Sequence, residues 1–300
     1  MHRSRHADHP GAERTALDED LLRGWPLPLD EHGDKFTRGT VLVIAGSPTT
    51  AGAALLAGTA ALRMGAGRLQ IATAEPVAMG LSIAVPEAMV LPLAVDDDDH
   101  LVPEDAVRVL SDHIAAAQAV LVGPGMDGPE AIGDIVDLIL RRLSSEAILV
   151  VDAAALPAIT AVEQRARRSI AERLLCTPNR DELDEMATSL GIDEGADPAM
   201  TASRELGAVI TCFGDVTSYD ERRWRAEAAT PGLGTSGSGD VLAGLAAGAA
   251  ARCGDPAQAA CWATYVHGSA GNRLSERFGT MSFIARELLD EVPHALAKLD

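Results

Sequence analysis

The run TVLVIAG (40–46), followed by GAALLAGTAALRMGAG (52–67) and RLQIAT (68–73), decides the fold. Two short apolar segments flank a helix-length segment of small residues. An apolar run of strand length without alternation belongs to a strand buried on both faces, and such strands occur in parallel sheets covered by helices. The pattern repeats outward along the chain. EAMVLPL (87–93), AVLVGPG (119–125), AILVVDA (147–153), RLLCTP (173–178) and AVITCFG (208–214) read as further buried strands, and helical patterns mark 103–117, 129–143, 181–190 and 197–206. Strands and helices in alternation give an α/β protein, a three-layer αβα sandwich with a mainly parallel central sheet. From Asp240 onward the pattern is helical almost to the end, broken at 254–256 and near Gly279. Residues 1–16 are polar and read as a disordered tail; no repeat or linker divides 17–300, which reads as a single domain.

Composition narrows the partners. The 300 residues carry 44 acidic against 25 basic side chains, a formal charge of −19. That field opposes non-specific binding to nucleic acid or to an anionic membrane. An anionic substrate must then be held by local backbone dipoles or individual cations. Aromatic residues make up only 3% of the chain, so its core is built from Ala, Leu, Val and Ile. Cys176, Cys212, Cys253 and Cys261 lie far apart without CxxC spacing and read as buried thiols. The N-terminus lacks an apolar signal core and no apolar run is long enough to span a bilayer. These features predict a cytoplasmic protein.

The chemistry concentrates in TPGLGTSGSGDVLAG (230–244). Its glycines permit positive φ and close approach to a ligand. A helix beginning at the end of such a loop offers free N–H groups and a positive dipole end, which together suit an anion. Asp240 sits oddly there. It either takes a proton from an attacking hydroxyl or simply caps the helix. The strand ends at Gly46, at 123–125, at Asp152, at 177–179 and at Gly214 converge on one sheet edge, where open parallel sheets bind ligands.

Taken in order, the motifs AGS, GAALLAGTAALRMGAG, PEAMV, GPG, VVDAAAL, TPNRDE, PGLGTSGSGDVLAG and ATYVHGSAG resemble the NAD(P)H-hydrate dehydratases, enzymes of ribokinase-like fold. The match runs from about Lys35 to the C-terminus. GSGD alone indicates only the ribokinase-like superfamily; the GAALLA and HGSAG helices make the resemblance specific. It implies a metabolite-repair lyase that uses ADP or ATP, with Mg²⁺, to return hydrated NADH or NADPH to the working cofactor. It also implies a homo-oligomer. By the same resemblance Asp240 contacts substrate and accepts its hydroxyl proton. Gly237, Ser238 and Gly239 form the anion hole and nucleotide contact, and Ala53 and Gly125 touch substrate. The family reads His-x-Gly-Glu where this chain has Asn179, Arg180, Asp181 and Glu182. It reads Lys-Gly-x-x-Thr, a nucleotide contact, where this chain has Phe213, Gly214, Asp215, Val216 and Thr217. Phe213 has no ammonium to offer a phosphate, although its face suits an adenine. Nucleotide binding by so acidic a chain then calls for a nearby Arg.

Asn179 takes the place of the substrate-contacting His, and with Glu182 it also resembles the Asn-x-x-Glu motif by which ribokinase-like kinases organise Mg²⁺. A small-molecule kinase and a catalytically weak nucleotide-binding relative are therefore the alternatives to the dehydratase. Asp152 reads equally as a ligand contact or a helix cap. His267 reads as a hydrogen-bonded core histidine in preference to a catalytic one.

Overall fold

The computed structural model of the chain describes residues 14–29, 35, 37–193, 195–227 and 229–299. Its strands are β1 (Thr15–Leu17), β2 (Thr40–Ile44), β3 (Arg68–Ala74), β4 (Ala88–Leu93), β5 (Ala119–Val122), β6 (Ile148–Val151), β7 (Leu174–Cys176), β8 (Ala208–Cys212), β9 (Asp215–Thr217) and β10 (Arg223–Ala226). All seven apolar runs became strands of one ten-stranded sheet, ordered β1-β10-β9-β8-β7-β6-β5-β2-β3-β4. From β4 through β8 every pairing is parallel. Beyond it β9 and β10 turn back antiparallel, and β1 closes the edge parallel to β10.

Alternation along each strand sorts its side chains into two apolar layers. Val41, Val43, Leu121 and Val150 face the helices Ala51–Arg63, Ser238–Cys253 and Pro256–Phe278. Leu42, Ile44, Val122 and Val151 face the helices Pro103–Ala116, Pro129–Arg142 and Pro198–Leu206. This is the αβα sandwich. On the first face, glycine sets the helix spacing: a Cβ at Gly244 would fall 2.1 Å from the Ala57 carbonyl oxygen, and one at Gly248 2.5 Å from that of Ala61. The two helices can pack only with their backbones nearly in contact.

The predicted tail requires a correction. Thr15 and Ala16 belong to β1, paired with Trp224 and Arg225, and Leu17 is buried behind them. Three residues are too few for composition to reveal a strand; residues 1–13 lie outside the described residues. The segment that follows β1 docks on the C-terminal helices. The Trp25 carbonyl accepts from Gln258 Nε2 and from Trp262 Nε1, each at 2.9 Å, and its ring lies 6.0 Å from that of Trp224.

The chain runs β2, β3, β4 to one side, then returns to β5 on the other side of β2. The strand order thus reverses between β2 and β5. A crevice opens outside the carboxyl ends of the strands at such a reversal.

Candidate active site

At the reversal point the backbone does the positioning. Gly46 (φ +82°) donates its N–H to the Pro124 carbonyl at 2.8 Å, tying the two strand ends together. Gly125 (φ +62°) lies so close to the helix Ala51–Arg63 that a Cβ there would meet the Ala53 methyl at 2.6 Å. Ala53 and Gly125 therefore form one wall. Thr50, which the sequence did not single out, fastens it by donating its hydroxyl to the Gly125 carbonyl at 2.5 Å.

The glycine-rich loop reaches the same edge. Gly237 (φ +89°), not Asp240, is the N-cap of the helix Ser238–Cys253. It must be glycine, since a Cβ would meet Leu56 at 2.7 Å and Ala285 at 3.1 Å. No side chain caps this helix. The Ser238 N–H goes to Thr235 O and the Val241 N–H to Gly237 O, leaving the Gly239 and Asp240 amides between them as open donors. A Cβ at Gly239 would meet nothing within 4 Å, so a ligand has room to approach. Ser238 itself is buried, with Oγ 2.9 Å from His267 Nε2, which also lies 3.1 Å from the Ser238 carbonyl oxygen. The Ser238 hydroxyl is thus engaged by protein. Burial holds His267 neutral, its pKa lowered to about 4. His267 is a structural anchor of the loop, as the sequence suggested.

Asp240 occupies the third position of the helix, so the capping alternative is excluded. Burial raises its carboxyl to about pH 6, the range suited to a general base at neutral pH. Asp152, at the end of β6, is almost wholly buried and accepts a hydrogen bond from the Thr177 hydroxyl at 2.7 Å. It makes no side-chain cap to the turn that follows. Desolvation, with the nearby charges of Glu182 and Asp240, raises its pKa to about 8. At neutral pH the edge therefore holds an ionised Asp240 and a largely protonated Asp152.

The ends of β7 and β8 depart most from expectation. Asn179 and Glu182 form a capping box on the helix Arg180–Ser189. Asn179 Oδ1 accepts from the Glu182 N–H at 3.0 Å, and Glu182 Oε2 from the Asn179 N–H at 2.8 Å. Both side chains are committed to the cap, and among the described residues no group of three or more His, Cys, Asp or Glu is arranged to hold a metal ion. The predicted Asn179–Glu182 pair retains at most Glu182 Oε1 and a spare lone pair on Asn179 for a cation.

Of the predicted nucleotide run, Phe213 and Gly214 stand at the turn, both with positive φ. Asp215 lies 3.8 Å from Arg14 Nε and 3.5 Å from Arg225 Nε. Val216 and Thr217 are inside β9, paired with β8, and their side chains are buried, 0% and 1% exposed. Arg180, which sequence reasoning passed over, lies across the Phe213 ring with Cζ 4.3 Å from its centroid. All four cysteines are unpaired, and no helix among the described residues is long and apolar enough to cross a membrane.

Comparison with known proteins agrees with this geometry. A family model described as NAD(P)H-hydrate dehydratase matches residues 41–294. The chain is 40% identical over 289 residues to an ADP-dependent (S)-NAD(P)H-hydrate dehydratase of Xanthomonas campestris pv. campestris, covering 93% of this chain and 94% of that one. It resembles the structure of an ADP/ATP-dependent NAD(P)H-hydrate dehydratase from Bacillus subtilis co-crystallized with ATP/Mg²⁺. The TM-score is 0.78 at 26% identity, over 97% of this chain and 100% of that one. A ribokinase-like superfamily protein from Enterococcus faecalis superposes with a TM-score of 0.80 at 22% identity, over 98% and 99% of the two chains, a likeness of fold alone. The sandwich is ribokinase-like, and the chain belongs to the NAD(P)H-hydrate dehydratase family.

Proposed function

We propose that this protein dehydrates hydrated NADH or NADPH to the working cofactor at the expense of ADP or ATP, with residues 17–300 acting as one catalytic domain. The observation that carries the reading is Asp240, poised near pH 6 beside the open Gly239 and Asp240 amides at the mouth of the reversal-point crevice. The ring hydroxyl oxygen of the substrate attacks the terminal phosphorus of the nucleotide while Asp240 takes its proton. The P–O bond to the shortened nucleotide breaks, and the loop amides steady the charge on the transferring group. The ring carbon–oxygen bond then breaks with its electron pair leaving on phosphate, a better leaving group than hydroxide. Loss of a proton from the neighbouring ring carbon restores the double bond. Ala53 and Gly125 form the wall against the substrate, with Asn179 across the crevice. Mg²⁺, when bound with the nucleotide, would neutralise phosphate charge; Glu182 Oε1 and the spare lone pair of Asn179 Oδ1 are the donors this chain could offer it.

The kinase alternative drew on Asn179 and Glu182, whose side chains are now occupied by the helix cap. A reducing cytoplasm is supported by four unpaired thiols. A homo-oligomer is supported by exposed Met79 and Ile83 on one face of the helix Glu75–Ala84, beside Met89 on the edge strand β4. Incubation with hydrated NADH, Mg²⁺ and either nucleotide should restore absorbance at the NADH wavelength. Folded protein inert with both nucleotides would refute the dehydratase reading.

A further inference from the structure

Phe213 is expensive where it stands. It follows β8 with φ +50°, a conformation that costs a non-glycine residue energy, and the residue is 66% exposed. The two-residue turn between β8 and β9 sets the backbone angle, with positive φ at both Phe213 and Gly214, but such a turn favours Asn, Asp or Gly and does not call for a bulky aromatic. What the ring does carry is Arg180, whose guanidinium lies over its face. Arg180 is also poorly placed for stability. It is the first residue of the helix Arg180–Ser189, where a cation opposes the helix dipole. Among the described residues it forms no ion pair, although Asp181, Glu182, Asp184 and Glu185 follow it in sequence. An exposed cation is thus held by an aromatic platform at the edge that also carries Glu182 and the Asp240 carboxylate.

We infer that Arg180, positioned by the ring of Phe213, binds the phosphates of a nucleoside di- or triphosphate. The inference rests on the nucleotide-dependent reading above. The Asp240 carboxylate beside the open amides repels a polyanion unless a fixed cation offsets it. A guanidinium stacked on a ring keeps its edge donors free for phosphate oxygens. Phe213 acts through Arg180 as a positioning residue.

Calorimetric titration of the full chain with ADP or ATP in the presence of Mg²⁺, alongside adenosine as an uncharged probe, tests this. Arg180→Ala should weaken nucleotide binding about tenfold or more and flatten its salt dependence. Adenosine affinity, the KM for hydrated NADH and the melting temperature should hold steady. Phe213→Ala should weaken nucleotide binding several-fold, raising the nucleotide KM more than it lowers kcat, and Phe213→Trp should recover it. Unchanged nucleotide affinity in Arg180→Ala, or an equal loss for adenosine, would overturn the inference. Wild-type protein that binds nucleotide through Arg180 yet never dehydrates hydrated NADH would sink the reaction and leave the inference standing. Wild-type protein that binds no nucleotide would sink both.

Discussion

The glycine loop and the β7–β8 edge face the same crevice but are built by different means. The loop is made of backbone. Gly232 approaches the Thr280 carbonyl so closely that a Cβ would lie 2.1 Å from it, and Gly237, Gly244 and Gly248 are pinned by comparable contacts. Thr230 is tied to Asn272 and Ser275, and Ser238 to His267. The β7–β8 edge is made of side chains on an open surface, a capping box and a guanidinium on a ring. A backbone site cannot be altered without moving two helices, so its residues match the family motif. A side-chain site can exchange its cation for one on a neighbouring element without disturbing the sheet, and here the departures collect.

The sharpest test of the loop's role is Asp240→Asn, expected to lower kcat by about 10²- to 10⁴-fold with the melting temperature nearly unchanged, read by single-turnover kinetics. Activity retained within tenfold would remove Asp240 as the base. In the wild type, kcat/KM should fall as pH drops through about 6, because Asp240 must be ionised to accept a proton. Gly244→Ala tests the backbone half: overpacking against Ala57 should cost about 1–3 kcal/mol in denaturant unfolding. On the side-chain half, Asn179→Ala should cost only about 1 kcal/mol, the worth of a cap, with Asn179→Ser recovering most of it.

Asp152 joins the two halves, and its sign can be worked out. Its folded pKa lies above the unfolded value, so the folded state holds the extra proton between about pH 4 and 8. Its stabilising contribution is complete below pH 4 and lost by pH 8, with a slope of at most about 1.4 kcal/mol per pH unit. Asp152→Asn should therefore gain stability relative to wild type as pH rises through that window, measured by denaturant melts at several pH values. Parallel pH profiles for the two proteins would show that Asp152 is not protonated when folded.

What was legible in the sequence follows from signal length. Seven strands announced themselves as apolar runs, and the loop announced itself by glycine. Strands β1, β9 and β10 did not, because three or four residues are too few to show an apolar period, and β9 and β10 also carry Asp215, Arg223 and Arg225. The helix Glu75–Ala84 was passed over between two strong strands, although Pro76 marks its first turn. Asn179 and Glu182 carried a readable capping-box spacing that the kinase motif also fits, and only the hydrogen bonds decide between them. Asp240 was placed correctly at the anion site, but that Gly237 rather than Asp240 caps the helix needed the backbone angles. Arg180 was invisible because its partner lies on the next strand over, and strand order is not written locally.

The pairing of β1 with β10 also sets a schedule for the ribosome. Thr15 meets Trp224, a partner made about two hundred residues later, roughly ten to forty seconds of synthesis at ordinary rates. Trp25 waits longer still for Gln258 and Trp262. This segment thus waits for partners from the far end of the fold, and the nascent chain must carry it without them until β10 and the C-terminal helices have been made.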